Sequence, residues 1–269
     1  NRAHDPDAAA ADLLWSVGML EGSADYMTYL SEHFYAGRTP WTDNEELPAI
    51  EHVKLLKTEI RRITDEHRRL QPQIEELNGK TMPIAMDEWN YWHRDYQYGE
   101  LGCVYDLKDG LGTVVGLHEF FRQSDLVKIA NYAQTVNVIG CIKTTKTDAE
   151  FATTGIALKL YRAQWAEVPL MLPDRFGDYD VAAAVSPDGQ VLTVSVVNPT
   201  SRNLSVELAV AERELPEKAT TWTITGPDHR ARNVPGEPRV VDATEERGVD
   251  VSRGLEIPAL SSVLYRFEL

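Results

Sequence analysis

The hydrophobic rhythm of the chain changes once, near residue 170, and that change excludes a single uniform architecture. Upstream, short apolar runs alternate with longer stretches of helical period. Residues 26–35 have strand character, and Val53, Leu56, Ile60 and Ile63 then recur at the three- and four-residue spacing of an amphipathic helix. Thr42, Asp43 and Asn44 stand near its start as capping candidates, with Pro48 in its first turn; Thr39-Pro40-Trp41 is a turn before it. The run 82–87 is too short for a helix and fits a buried parallel strand. Residues 109–122 are helical, 135–142 form another β-branched run, and 154–165 another helix. Strand and helix in this order predict βαβ units around a parallel sheet. From Asp180 the segments shorten and alternate: Leu192, Val194 and Val196 face one way, Thr193 and Ser195 the other, and Leu204, Val206 and Leu208 repeat the pattern. Turns such as Ser186-Pro-Asp-Gly189 separate them, which predicts an antiparallel sandwich. The expected division is 1–170 and 171–269.

Composition narrows the partners. Against 27 basic residues stand 42 acidic ones, a net charge of −15, so phosphate backbones and anionic lipid would repel the chain. Neither nucleic acid nor a membrane surface is expected as its target. No apolar run approaches a membrane span, and Cys103 and Cys141 lack C-x-x-C spacing and fit buried thiols. The chain begins at Asn1 without a signal-like stretch, and the compartment stays open, with the cytoplasm as the working expectation.

In α/β proteins catalytic groups gather at the carboxyl ends of parallel strands. The run 82–87 leads into Asp87-Glu88-Trp89-Asn90-Tyr91-Trp92. Strand alternation places Glu88, Asn90 and Trp92 on one face and turns Asp87 away, into a structural role. A carboxylate, an amide and a large aromatic suit a sugar, and a solvated loop with a packed Trp is the competing reading. In Ser31-Glu32-His33-Phe34-Tyr35, alternation groups Ser31, His33 and Tyr35, where a tyrosine could orient a carboxylate; a buried His and Tyr is the alternative. Gln134 and Asn137 add two amides at the start of the 135–142 run. There is no G-x-S-x-G elbow. Gly110-Leu-Gly112 is followed by Gly116, one residue late for a dinucleotide fingerprint. His118-Glu119 has no second histidine four residues on, and seven scattered histidines give no metal-ligand spacing, so neither metal nor cofactor is expected.

The Asp87–Trp92 stretch resembles the nucleophile motif of glycoside hydrolase family 51, mainly α-L-arabinofuranosidases. Further segments agree in order. Tyr29-Leu-Ser-Glu-His33-Phe-Tyr35 resembles the end of that family's sixth barrel strand, Asp106-Leu-Lys-Asp-Gly-Leu111 the start of its seventh helix, and Ala133-Gln-Thr-Val-Asn-Val-Ile139 its eighth strand. Asn233-Val-Pro-Gly-Glu-Pro238 and Leu255-Glu-Ile-Pro-Ala-Leu-Ser-Ser262 resemble its closing sandwich segments. The resemblance implies the C-terminal part of a (β/α)8 TIM barrel followed by an antiparallel β-sandwich, and a retaining enzyme that removes terminal α-L-arabinofuranosyl groups from arabinoxylan or arabinan. It implies Glu88 as nucleophile, Trp92 and Gln134 as sugar contacts, and Tyr35 as hydrogen-bond partner of the nucleophile. Asn90 and His33 match motif positions expected to bind substrate. Two departures stand out. The family's acid/base lies in a Gly-Asn-Glu motif, which is absent here; the one Asn-Glu pair, Asn44-Glu45, opens a helix as a cap. The connection from Trp92 to Tyr105 is also short. Counting strands back from Glu88, the chain is expected to begin after the fifth strand and to need an N-terminal barrel half, from the same gene product or a second chain. Expected partners are that half, further copies in a homo-oligomer, and an arabinose-containing oligo- or polysaccharide. Another retaining glycosidase acting on β-glucan or xylan, and a non-catalytic sugar-binding or structural chain, remain alternatives.

Overall fold

The computed structural model describes residues 6–37, 46–93, 102–172, 177–210 and 214–269. The Thr39–Trp41 turn, the capping candidates Thr42, Asp43 and Asn44, the Asn44-Glu45 pair and most of the Trp92–Tyr105 connection lie outside them. A helix the rhythm did not announce, α1 (Pro6–Ser23), opens the described chain. β1 (Leu30–Ala36) follows, then α2 (Ala49–His52) and α3 (Leu55–Leu70), β2 (Ile84–Tyr91), α4 (Leu107–Arg122) and β3 (Val127–Tyr132). These three strands form one parallel sheet in the order β1-β2-β3. α3 exists because its apolar residues share one stripe: Leu56, Ile60 and Ile63 are buried, while its last turn carries Arg68 and Arg69, favourable at a helix carboxyl end. α4 starts sharply at a capping box, where Asp106 accepts from the Asp109 amide and Asp109 accepts from the Asp106 amide.

The third parallel strand is not the β-branched run expected at 135–142. It is β3, which ends three residues before that run begins, and residues 133–141 curl into a loop beyond its end. Asn137 and Val138 take left-handed backbone (φ 53° and 47°), which breaks extension. The loop closes on itself through Asn137 N–H to Ile142 O at 2.8 Å and Ile142 N–H to Thr135 O at 2.9 Å. β3 was inconspicuous because only Val127 is buried along it. The loop leads into the short antiparallel pair β4 (Ile142–Thr144) and β5 (Ala149–Phe151), then α5 (Thr153–Gln164).

From β6 (Val168–Leu170) the chain is antiparallel. With β7 (Asp180–Val185), β8 (Val191–Asn198), β10 (Lys218–Thr225), β11 (Ala243–Asp250) and β13 (Ser261–Glu268) it builds a six-stranded sheet in the order β11-β10-β13-β8-β7-β6. β9 (Leu204–Val206) pairs with β12 (Leu255–Ile257) separately. The expected alternation of β8 holds. Leu192, Val194 and Val196 pack with Tyr265 and Phe267 towards Leu255 and Ile257, whereas Val197 joins Leu264 and Trp222 against α4 and α5. The polar members of the alternation are buried too: Ser195 Oγ lies 2.5 Å from Tyr161 Oη of α5. The chain is thus mixed α/β, with helices α4 and α5 shared between the two kinds of sheet.

A polar knot stands at this seam. Asp180, the first residue of β7, takes His118 Nδ1 at 2.7 Å and Arg122 Nη2 at 2.7 Å on Oδ1, and Lys57 Nζ at 2.8 Å on Oδ2. Burial works against ionisation of Asp180, yet the His118 hydrogen bond and the Arg122 and Lys57 charges outweigh it and hold its carboxyl well below the usual range. Burial holds the His118 imidazole below its ordinary value.

Candidate active site at the carboxyl edge of the parallel sheet

The side chains buried along β2 are Ile84, Met86, Trp89 and Tyr91, spaced two, three and two residues apart. The step of three is a β-bulge. Glu32 pairs with Met86 but His33 with Glu88, so Asp87 is an extra residue on β2. On the other side Met86 pairs with Ala130 and Trp89 with Tyr132, which skips the same place. The bulge corrects the reading of Asp87 as turned away. Both carboxylates leave the buried face, and one imidazole meets them: His33 Nε2 lies 2.8 Å from Asp87 Oδ1 and Nδ1 lies 3.5 Å from Glu88 Oε2. Ser31 Oγ donates to Asp87 Oδ1 at 2.9 Å.

β1 alternates as its sequence predicts. Leu30, Phe34 and Ala36 are buried, while Ser31, His33 and Tyr35 face the carboxylates. Tyr35 Oη donates to Glu88 Oε2 at 2.7 Å. Burial raises the Tyr35 hydroxyl well above the ordinary tyrosine value, and the hydrogen bond to Glu88 and its charge push the same way. The phenol therefore stays a donor. Trp92 stands edge-on to the Tyr35 ring, with centroids 5.0 Å apart. Tyr35, Glu88 and Trp92 thus make one wall. Glu32, on the opposite face of β1, is occupied elsewhere, by Ser16 Oγ and His67 Nε2 at 2.7 Å each.

The profile described as the alpha-L-arabinofuranosidase C-terminal domain matches residues 87–261. The chain belongs to this family. A probable alpha-L-arabinofuranosidase C from Aspergillus flavus is 32% identical over 184 residues, covering 60% of this chain and 36% of that protein. Among solved structures, an arabinofuranosidase superposes with a TM-score of 0.81 at 29% identity, over 96% of this chain and 56% of the other. The alpha-L-arabinofuranosidase from Thermotoga maritima, solved with arabinose, gives 0.78 at 28% identity over the same shares, 96% and 56%. The chain therefore spans about a third of that curated relative and just over half of these solved chains.

Within this arabinofuranosidase C-terminal domain the remaining expected site residues separate. Gln134 is exposed on the loop that leaves β3, at the same edge of the sheet, since Ala133 N–H still bonds Trp89 O at 3.2 Å. Asn90 shares the Glu88 side of β2 but is fully buried and leaves no atom for a sugar. Its Nδ2 reaches Tyr105 Oη at 2.9 Å and Ala133 O and Ile139 O at 2.6 Å each, and its Oδ1 accepts the Tyr91 amide at 2.7 Å. Asn90 with Tyr105 thus straps the 133–139 loop to β2. Sequence reasoning missed Tyr105, whose hydroxyl also meets Tyr91 O at 2.8 Å and Ile139 O at 2.9 Å, and it missed Asp87 as a neighbour of Glu88. The 2-3-2 spacing of large apolar residues on β2 was the signal for the bulge. It also missed His52, His93 and Asp109, which the fold gathers from three separate segments.

Proposed function

We propose that this chain carries the nucleophile of a retaining glycoside hydrolase that removes terminal α-L-arabinofuranosyl groups from arabinoxylan- or arabinan-type glycans. The observation that carries this is the Tyr35–Glu88 hydrogen bond of 2.7 Å at the carboxyl edge of a parallel sheet, in a member of the arabinofuranosidase family. In this reading Glu88 attacks the anomeric carbon through the oxygen not held by Tyr35, and the sugar's bond to its leaving oxygen breaks. A carboxylic acid supplied from outside residues 1–269 protonates that oxygen, then takes a proton from the water that releases arabinose. Retention needs the two carboxyls only about 5–5.5 Å apart. Trp92 packs on the furanose, Gln134 and His33 bind its hydroxyls, and Asn90 holds the loop that presents Gln134. The parallel strands are then the last three of a (β/α)8 barrel and residues 171–269 a β-sandwich, with an N-terminal half completing the ring and copies assembling as a homo-oligomer.

The test uses the full-length protein. Glu88→Ala should abolish turnover of 4-nitrophenyl α-L-arabinofuranoside, and azide should restore part of it by entering the vacated space and giving the β-configured glycosyl azide. The reading fails if the variant turns over near the wild-type rate, or if aryl glucoside or xyloside is the better substrate of the wild type.

A further inference from the structure

Beside the site, three metal-ligating side chains converge from elements far apart in sequence. His52 closes α2, His93 follows Trp92 beyond β2, and Asp109 lies in the first turn of α4. His52 Nε2 stands 2.7 Å and His93 Nε2 2.9 Å from the same atom, Asp109 Oδ1, and all three ligand atoms fall within 4.8 Å of one another. Their orientations are fixed from outside. Tyr91 stacks on His52 at 4.7 Å and 14° and lies 5.8 Å and 21° from His93. Its hydroxyl donates to His52 O at 3.0 Å. A Cβ on Gly37 would come within 3.1 Å of the His93 ring, so the absence of one there makes room for that ring. The Asp106 amide occupies Asp109 Oδ2, which leaves Oδ1 as the atom presented to both rings. Asp109 and His52 are buried, and the His93 side chain keeps 13% of its surface, so among the described residues the cluster opens on the His93 side.

We infer that His52, His93 and Asp109 form a binding site for a divalent transition metal of the Zn2+ class. Two imidazole nitrogens and one carboxylate oxygen are the donors such ions prefer, whereas Ca2+ and Mg2+ ask for oxygen throughout. Ligand bonds of about 2.0–2.2 Å put the donors of a tetrahedral site roughly 3.3 Å apart, so the two short contacts need to open by only about half an ångström. Each ring then coordinates through Nε2 with its proton on Nδ1, and water fills the fourth position on the His93 side. The ion would pin α2, the exit of β2 and α4 together, one residue from Trp92.

The experiment uses full-length protein stripped with EDTA and dialysed. Zn2+ added back should bind at one ion per chain by elemental analysis and raise the thermal midpoint, and Co2+ should show the intense visible bands of a four-coordinate site. His93→Ala, at the open side, and Asp109→Asn, which keeps the carboxamide shape, should each lose the ion and the Co2+ bands. His93→Ala should match the wild type in circular dichroism, and with EDTA present it should melt in one transition below the wild-type midpoint, because it also loses the hydrogen bond to Asp109; added Zn2+ should then leave that midpoint unmoved. The inference is overturned if the wild type takes up no stoichiometric Zn2+ or Co2+, or if both variants bind as the wild type does.

Discussion

At the scale of single residues, Tyr35 separates a functional contact from a structural one. Its hydroxyl donates to a carboxylate, and a hydrogen bond to a charged partner contributes about 1.5–3 kcal/mol. If Glu88 is the nucleophile, Tyr35→Phe should lower kcat/KM of the full-length protein by roughly 10- to 100-fold. The thermal midpoint should hardly move, because the ring and its edge contact with Trp92 persist. An unchanged kcat/KM would remove Tyr35 from the site. Part of this was legible in the sequence: alternation groups Glu88 with Trp92 and, separately, Tyr35 with His33, while the pairing of Tyr35 with Glu88 was implied only by the family resemblance. What they do next to one another was less so. Asn90 has the same parity as Glu88, yet its amide is consumed by a loop 43 and more residues downstream, a partner that no local pattern encodes.

At the scale of elements, the helix α3 and the strand β8 were readable from period alone, though the burial of both faces of β8 was not. Misreadings arose where tertiary placement overrides propensity. Residues 135–142 are β-branched but lie past the edge of the sheet, where neighbouring strands no longer supply a ladder. β3 is a strand because β2 pairs with it, not because its own pattern demands one. Packing between elements gives a sharper test. A Cβ on Gly112 of α4 would sit 1.9 Å from the Tyr91 hydroxyl, which is buried and held by His52 O. Alanine gains about 1 kcal/mol in helix propensity over glycine. Overpacking a rigid buried ring costs about 1–3 kcal/mol. The 1.9 Å approach is to a held, buried ring, so the clash should win, and Gly112→Ala is expected to lower the unfolding free energy by up to about 2 kcal/mol in denaturant titration. A more stable variant would show that Tyr91 can move aside.

At the scale of the whole molecule, the seam knot sets the acid limit. The folded His118 binds its proton less readily than an unfolded histidine, whose value is about 6.5, so stability is full above that pH and falls as the unfolded chain takes the proton. Asp180 is depressed relative to an unfolded aspartate near 3.9, so a second loss begins as pH drops through that value. The thermal midpoint should therefore begin to fall as pH drops through about 6.5 and fall again below about 3.9, and a flat profile between pH 7 and 5 would refute the account. Asp180→Asn should cost about 1–3 kcal/mol at neutral pH by removing the charge that His118, Arg122 and Lys57 converge on, while Arg122 keeps Glu119 and the Val181 carbonyl. The position of Asp180 also matters to anyone recombining this protein with its relatives. It opens β7, but the His118, Arg122 and Lys57 that hold it come from α3 and α4. A hybrid joined between α5 and β7 inherits lock and key from different parents, and survives only when the donor brings a carboxylate to that position. Joined just after Val181, the pair travels together, and what remains to be matched is the packing of Val197, Trp222 and Leu264 on α4 and α5 and the Ser195 contact with Tyr161.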